Sequence, residues 1–229
     1  MPSSRISFKR QLMIFDPKEF EDKIVAIVGL GNIGSHTALA LARLGIKNFL
    51  TYDPDTIEAH NLSSQAYTEH SIGKYKGAVV SDMMSEINPG IADMAFNRKF
   101  DPRYTSETQE MRVHMPNIVI IAVDSMKERK KISEMYRTAH WPDLLIDARV
   151  GGNQLEVYNI RSWDEWQKTF SDSPDQDPCG GRYISYVSLM VAGVIANQVK
   201  KFLKGERMDK NVIVDANTLQ VIKDIQWKD

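Results

Sequence analysis

Cysteine is nearly absent from this chain of 229 residues, and neither sign of charge predominates. Because Cys179 is the only cysteine, an intrachain disulfide and a zinc site built from cysteine pairs are both excluded, and no structural zinc is expected. The 29 Lys and Arg residues balance 30 Asp and Glu residues to a formal charge of -1. Charge therefore indicates neither nucleic acid nor an anionic membrane as a partner.

Long apolar runs are missing as well. No stretch reaches the roughly 20 apolar residues of a membrane span. The N-terminal MPSSRISFKRQLMIF lacks the apolar segment and cleavage site of a secretory signal, so a cytoplasmic location is expected. The histidines do not have the spacing of metal ligands. They are scattered along the chain as His36, His60, His70, His114 and His140.

The hydrophobic fraction of 42% suffices for one substantial core, and no break in composition marks a second domain. We therefore predict a single domain over residues 1–229. Residues 1–22 are predicted to form an N-terminal helical arm. Residues 161–181, which carry DSPDQDPCGG, are predicted to form an irregular crossover loop.

Strand and helix patterns alternate along the chain. From Lys23, KIVAIVGLGNIGSHTALALARLG passes from a β-branched run through a glycine turn into helical spacing, and NFLTY supplies a second strand before Asp53. Further helices are predicted over 76–87 and 183–203, strands over 118–123, 144–146 and 155–158, and an antiparallel pair around 215–217. The predicted fold is α/β: a Rossmann-like, mostly parallel sheet with helices on both faces and antiparallel C-terminal strands.

The glycine pattern GLGNIG, residues 29–34, lies between the first strand and the first helix. In that setting backbone amides approach a phosphate at the positive end of the helix, so a nucleotide is the expected ligand. Asp53 ends the second strand, where a carboxylate accepts hydrogen bonds from ribose hydroxyls. The alternatives are a tight turn without a ligand and an Asp53 that only caps a turn.

Three further segments follow the glycine loop: DPDTIEAHNLSSQ, IGKYKGAVVSDMMSEINP and IIAVDS. In order and spacing they resemble the ThiF/MoeB/HesA family of ubiquitin-activating-type enzymes, and the resemblance runs from about Arg10 to the C-terminus. It implies ATP-dependent adenylation of the C-terminal carboxylate of a ubiquitin-like or sulfur-carrier protein, with release of pyrophosphate. It also implies Mg²⁺ as a cofactor and a homodimer.

The resemblance implies roles for particular residues. Asp53 would hold the ribose, Lys76 the phosphates and Asp124 the Mg²⁺ ion, and Arg10 would enter the neighbouring subunit's site as a further catalytic cation. The implied nucleotide-binding set is Gly29, Gly31, Asn32, Gly34, Asp53, Asp55, Asn61, Gln65 and Lys76. Alternatively, Arg10 is a solvated residue, Lys76 an exposed lysine near a helix start, and Asp124 a strand-end cap.

The chain departs from the family pattern at Ser64. In NLSSQ this serine stands where the family usually has an arginine that contacts phosphate, so phosphate binding is weaker or another cation substitutes. Arg149, in LLIDARVGG, ends a predicted strand on the expected ligand side of the sheet and is the candidate substitute. The alternative is a structural salt bridge.

The single cysteine matches the position of the cysteine that some relatives bond to their activated partner. Cys179 precedes the long helix and lies near Arg182, a setting that favours the thiolate and hence attack on an acyl-adenylate. The resemblance thus extends the reaction to a thioester or acyl disulfide at Cys179. The alternative is a small buried apolar residue without a chemical role.

Two other functions fit part of the sequence. An NAD(P)-dependent oxidoreductase requires the glycine loop and Asp53 but not Lys76, Arg10 or a metal at Asp124. A non-catalytic nucleotide-binding module of the same fold is the second, and Ser64 is the best single argument for it.

Overall fold

The computed structural model describes residues 6–105, 115–170 and 184–224. The strands are β1 Ile24–Val28, β2 Asn48–Tyr52, β3 Ala92–Phe96, β4 Ile118–Ile121, β5 Leu144–Gly151, β6 Gln154–Ile160, β7 Asn211–Asp215 and β8 Gln220–Lys223. The α-helices are α1 Asn32–Leu44, α2 Lys76–Ile87, α3 Met126–Met135, α4 Trp163–Gln167 and α5 Ser185–Leu203.

The strands form one sheet in the order β3-β2-β1-β4-β5-β6-β7-β8. Neighbours from β3 to β5 in this order are parallel, and neighbours from β5 to β8 are antiparallel. The strand order reverses between β1 and β4, which is where open α/β sheets form a ligand crevice. The predicted Rossmann-like sheet with antiparallel C-terminal strands is confirmed.

Apolar clusters cover both faces of the sheet. The side chains of β1 alternate between them: Val25 and Ile27 pack with α1, α2 and α5, whereas Ala26 and Val28 pack with α3 and α4. All four of these residues are at most 2% exposed. A strand buried on both faces reads as a continuous apolar run. The predicted helices on both faces are therefore present.

Of the predicted N-terminal helical arm, residues 1–5 lie outside the described residues, and residues 6–22 are helical only in part. Their only helix is the short 3-10 helix Pro17–Phe20, whose N-cap Asp16 accepts a hydrogen bond from Lys18 N. Phe15 is buried and stacks on Phe20 with 5.2 Å between ring centroids. The segment is further attached to the domain by Gln11, whose Nε2 donates to the carbonyl of Leu44 at 2.7 Å, and by Lys204, whose Nζ donates to the carbonyl of Ile14 at 2.9 Å.

The region predicted as an irregular crossover loop begins with α4. Ser162 caps this helix by accepting a hydrogen bond from Glu165 N. Trp166 is fully buried, and its Nε1 donates to Asp147 Oδ2 at 2.8 Å. The prediction is therefore wrong for residues 163–167, because one buried aromatic side chain stabilises a helix too short to show a period. Residues 171–181 of the predicted loop lie outside the described residues.

Asp93, on the edge strand β3, is a partly buried carboxyl group. Thr51 Oγ1 donates to its Oδ1 at 3.3 Å. Burial raises the pKa of Asp93 to about 6, although hydrogen bonds from Ser81 and Thr51 act to lower it. The folded protein therefore holds this proton more tightly than the unfolded chain, so stability should fall as the pH rises from about 4 to 6.

We expect Asp93→Asn to remove this loss, which is about 2 kcal/mol once partial solvent screening is allowed for. Urea unfolding at pH 4.5 and 7.5 measures it: the variant should gain on the wild type at pH 7.5 and show little gain at pH 4.5. Asp82→Asn, on the exposed surface of α2, is the control. Identical pH profiles for Asp93→Asn and the wild type would contradict the assignment.

Within residues 6–105, 115–170 and 184–224, no helix has both the length and the apolar character that crossing a membrane requires.

Candidate functional site

A cavity of about 640 Å³ opens at the carboxyl ends of β1, β2 and β4. It lies at the reversal of strand order, and its volume is within the range of about 300–1,000 Å³ that is usual for small-ligand sites. Nine of the predicted site residues line it: Gly29, Gly31, Asn32, Asp53, Asp55, Asn61, Gln65, Lys76 and Asp124.

The glycine loop packs tightly against neighbouring backbone. Gly29 has a φ of 89°, and a Cβ there would lie 2.8 Å from the carbonyl oxygen of Ala122. A Cβ at Gly34 would overlap the carbonyl oxygen of Gly29. Gly34 does not line the cavity itself; its lack of a side chain allows the start of α1 to pack directly under the loop. The positive N-terminal end of α1 thus borders the cavity.

Asp53 joins the end of β2 to the glycine loop. Its Oδ2 accepts a hydrogen bond from Leu30 N at 2.6 Å, and its Oδ1 accepts one from Asp55 N at 2.9 Å. Burial raises the pKa of Asp53, although Lys76 and the two backbone donors act to lower it. Each carboxylate oxygen retains a lone pair, so Asp53 can shape the loop and also accept a hydrogen bond from a sugar hydroxyl.

Lys76 is the first residue of α2 and is only 6% exposed. The alternative of an exposed lysine is therefore wrong. Its Nζ donates to Asp55 Oδ2 at 3.0 Å and lies 3.9 Å from Asp53 Oδ1. An ammonium group has three donors, so Lys76 can bind phosphate oxygens while it remains paired with Asp55.

A 3-10 helix, Ala59–Ser63, presents polar residues to the cavity from the side of α1. Asn61 Oδ1 accepts from Glu58 N at 2.9 Å, which leaves the amide nitrogen of Asn61 for a ligand. Ser64, directly after the helix, is buried, and its carbonyl oxygen accepts from His36 Nε2 at 3.0 Å. Burial lowers the pKa of His36, opposed by this hydrogen bond. This hydrogen bond ties the backbone at Ser64 to α1.

Two carboxamides at the cavity have a polar atom with no partner among the described residues. These atoms, Asn32 Nδ2 and Gln65 Oε1, are buried. The other polar atom of the Asn32 carboxamide, Oδ1, accepts from Ser188 Oγ of α5. A buried unpaired polar atom costs free energy unless a ligand or water satisfies it. The pair therefore indicates a polar ligand in this part of the cavity.

Asp124 follows β4 and is exposed at the cavity wall. The N-cap of α3 is Ser125, whose Oγ accepts from Glu128 N at 3.4 Å. The residue that caps α3 is therefore Ser125 and not Asp124. Among the described residues, no group of three or more His, Cys, Asp or Glu side chains could hold a metal ion. A Mg²⁺ ion at Asp124 would take its other ligands from phosphate oxygens and water, as this ion commonly does.

Part of the cavity wall has no counterpart among the predicted residues. Tyr52, Arg98, Phe100 and Ile132 line it. The Tyr52 ring meets Phe100 edge-on, with 4.9 Å between centroids. Such an aromatic wall suits a planar base. The available signal was an aromatic residue at the end of β2, Tyr52, and another shortly after β3, Phe100, but β3 was not recognised as a strand.

Arg149 is not the substitute cation for Ser64. It is 3% exposed, its Nη2 donates to Asp147 Oδ2 at 2.6 Å, and its Nη1 donates to the carbonyl of Thr169 at 2.8 Å. The structural salt bridge is therefore the correct alternative. The reason is strand alternation: Val150 of β5 lines the cavity, so the side chain of Arg149 points to the other face, where α4 packs.

Two predicted residues remain, Arg10 and Cys179. Arg10 is exposed and does not line the cavity. An arginine that serves a neighbouring subunit must be exposed in the isolated chain, so this position leaves the predicted role open to test. Cys179 lies outside the described residues, as does Arg182.

A model of the ThiF family matches residues 8–227. The chain belongs to the ThiF family. Among its ThiF-family relatives, the ubiquitin-like modifier-activating enzyme 5 of Drosophila erecta is 30% identical over 141 residues, which cover 58% of this chain and 35% of the relative. The sulfur carrier protein ThiS adenylyltransferase of Escherichia coli K12 is 28% identical over 156 residues, covering 66% and 61%. The chain thus spans less than two thirds of either relative.

Solved structures of similar fold include two of E. coli MccB. One, a complex with MccA-N7isoASN, has a TM-score of 0.72 at 20% identity and covers 90% of this chain and 65% of MccB. The other, a complex with ATP, has a TM-score of 0.71 at 18% identity and covers 90% and 64%. At these identities the likeness establishes a shared fold.

Proposed function

We propose that this chain binds ATP in the cavity and uses it to adenylate the C-terminal carboxylate of a ubiquitin-like or sulfur-carrier protein, with release of pyrophosphate. The observation that carries the proposal is the convergence of the glycine loop, Asp53, Lys76 and Asp124 on one cavity. Two relatives, an activating enzyme and an adenylyltransferase, support the same class of chemistry.

The cavity wall offers a partner to each part of ATP. The rings of Tyr52 and Phe100 suit adenine, and the Asp53 carboxylate suits the ribose hydroxyls. Lys76 and the N-terminal end of α1 suit the phosphates. The unpaired carboxamide atoms of Asn32 and Gln65 would then find polar partners on the nucleotide.

The reaction brings the carrier carboxylate and the triphosphate of ATP together, and positive charges at the site would reduce the repulsion between these two anions. In the proposed step, an oxygen of the carrier carboxylate attacks the α-phosphorus. The bond from that phosphorus to its bridging oxygen breaks, and pyrophosphate leaves with the electron pair. Lys76 stabilises the negative charge on the phosphate oxygens. A Mg²⁺ ion held by Asp124 would offset further phosphate charge.

Arg10 of a neighbouring subunit supplies a second cation in this proposal. A guanidinium matches phosphate oxygens with two parallel hydrogen bonds, which a lysine cannot do. The active form is then at least a homodimer, because an isolated chain would lack this group at its site. A monomer with full activity would contradict this part of the proposal.

Cys179 is proposed as the nucleophile of a second step. Its thiolate would attack the acyl carbon of the adenylate, AMP would leave, and a thioester would form. If a Cys179→Ala variant transferred the acyl group as well as the wild type, this step would be excluded while adenylation itself remained.

Thermal unfolding with different nucleotides tests the proposal first. ATP with Mg²⁺, at about 100 times its Kd, should add roughly 2.7 kcal/mol of stability, and NAD(P)⁺ or NAD(P)H should add none. Stabilisation by a nicotinamide nucleotide alone would favour an oxidoreductase instead.

Exchange of labelled pyrophosphate into ATP then identifies the acyl substrate. Carrier proteins with a C-terminal glycine should support exchange, and the same carriers without that glycine should not. Stabilisation by ATP without exchange for any carrier would favour a non-catalytic nucleotide-binding module. The absence of the family arginine at Ser64 is the observation that favours this second candidate.

Ser64→Arg should add a guanidinium group to the cavity wall beside Asn61. Because Ser64 lines the cavity, we expect ATP to bind about tenfold more tightly, the effect of one added charge-assisted hydrogen bond of about 1.5 kcal/mol. Isothermal calorimetry with ATP and Mg²⁺ measures this. Thr68→Arg, at an exposed position that does not line the cavity, is the control. Equal affinities for Ser64→Arg and Thr68→Arg would contradict the prediction.

A further inference from the structure

Three charged residues form a buried network behind the cavity, on the face of the sheet covered by α3 and α4. Asp147 of β5 is the shared acceptor: its Oδ1 accepts from Arg129 Nε at 2.7 Å, and its Oδ2 accepts from Arg149 Nη2 at 2.6 Å. Burial acts to raise the pKa of Asp147, but the charges of Arg149 and Arg129 hold it below the ordinary value. The carboxylate is therefore ionised and fixes both guanidinium groups.

Arg129 also reaches the end of β4. Its Nη2 donates to the carbonyl oxygen of Val123 at 2.6 Å and to that of Ala148 at 3.0 Å. The side chain of Arg129 is 0% exposed, and its ion pair with Asp147 fixes the orientation of the guanidinium group. Arg129 thus donates a hydrogen bond from a fixed position to the carbonyl of Val123, the residue before Asp124.

The carbonyl of Val123 and the N–H of Asp124 belong to one planar peptide unit. A hydrogen bond to this carbonyl therefore also fixes the orientation of the peptide group that precedes the Cα atom of Asp124. On the other side of Asp124, Ser125 is fixed as the N-cap of α3, and its carbonyl accepts from Arg129 N at 3.0 Å. Asp124 itself is exposed, so its direction depends on these flanking contacts.

We propose that Arg129 is a positioning residue for Asp124: by holding the Val123 carbonyl it directs the Asp124 carboxylate toward the cation that accompanies the nucleotide phosphates. The inference rests on the proposed function. Groups that orient a metal ligand commonly change metal affinity by about 10- to 100-fold when they are removed.

Arg129→Met and Arg149→Met form a matched pair of variants. Each removes one guanidinium from Asp147 and leaves a one-to-one ion pair, so neither leaves a buried charge without a partner. Only Arg129→Met releases the carbonyl of Val123. Should Arg129→Met fail to fold, Arg129→Lys serves in its place, since it keeps the charge beside Asp147.

The measurement is ATP affinity by calorimetry, with Mg²⁺ and with EDTA, for the wild type and both variants. We expect the factor by which Mg²⁺ tightens ATP binding to fall about tenfold in Arg129→Met and to stay within twofold of wild type in Arg149→Met. Affinity in EDTA should be unchanged in both. The positioning role would be overturned if the effect of Mg²⁺ on ATP affinity were unchanged in Arg129→Met, or if it fell equally in Arg149→Met. Either result would leave the proposed function standing. A wild type that binds no ATP would overturn both.

Discussion

Replacement of Lys76 by methionine is expected to weaken ATP binding about 100-fold while the protein remains folded. A charge-assisted hydrogen bond contributes about 1.5–3 kcal/mol, and each 1.4 kcal/mol is a factor of ten in affinity. Lys76 is buried beside the cavity, where the low dielectric strengthens its attraction for phosphate relative to that of an exposed cation. Calorimetry with ATP and Mg²⁺ measures the loss without knowledge of the acyl substrate.

The fold should tolerate this change because Asp53 retains other donors. Leu30 N and Asp55 N still hydrogen-bond to its carboxylate, and methionine fills the volume of the lysine stem. Lys74→Met is the matched control, since Lys74 is exposed and only two residues away. If Lys76→Met, with an unchanged melting temperature, bound ATP within threefold of Lys74→Met, the role of Lys76 at the phosphates would be refuted.

Asp147→Asn is expected to cost about 3–5 kcal/mol of stability, the largest effect on folding that we predict. The change keeps the shape of the side chain but removes the carboxylate charge that Arg129 and Arg149 share, and both arginines are buried. Both guanidinium groups would then lose the ion pair with Asp147, and removal of one partner from a buried ion pair is strongly destabilising. The hydrogen bond from Trp166 to Asp147 would also weaken.

Urea unfolding followed by circular dichroism measures this loss. Asp82→Asn makes the same chemical change on the exposed surface of α2 and should alter stability by less than about 0.5 kcal/mol. A free energy of unfolding for Asp147→Asn that matches that of Asp82→Asn would show that the network contributes little to the fold.

Elements with local patterns were predictable from the sequence. The apolar run of β1, the glycine turn and the helical spacing of α1 come from residues close together in the chain, and the same is true of α2 and α5. The glycine loop and Asp53 indicated the site, because the ends of parallel strands meet at one edge of a sheet, and the resemblance to the ThiF/MoeB/HesA family added Lys76 and Asp124. The structure brings these residues to one cavity.

Elements that depend on distant partners were not predictable in this way. The sequence of α3, MKERKKISEM, is mostly charged. Its buried face includes Arg129, whose burial depends on acceptors in other elements, chiefly Asp147 of β5. β3 is an edge strand with exposed alanines at positions 92 and 95, so its alternation is weak. Without β3 and α3, the wall formed by Arg98, Phe100 and Ile132 could not be foreseen.

By itself, the sequence determined the fold class, the family and the set of residues from Gly29 to Asp124 that meet at the sheet edge. The fold class follows from periodicity, and the family and most of the site residues follow from the resemblance of successive motifs to those of a known family. Only the tertiary structure decided where Arg149 points, what holds Lys76 and which residue supports Asp124. The direction of Arg149 depends on which helix packs on which face of β5. The roles of Lys76 and Arg129 depend on burial, because a buried charged side chain must be paired with an opposite charge, either inside the protein or on a ligand.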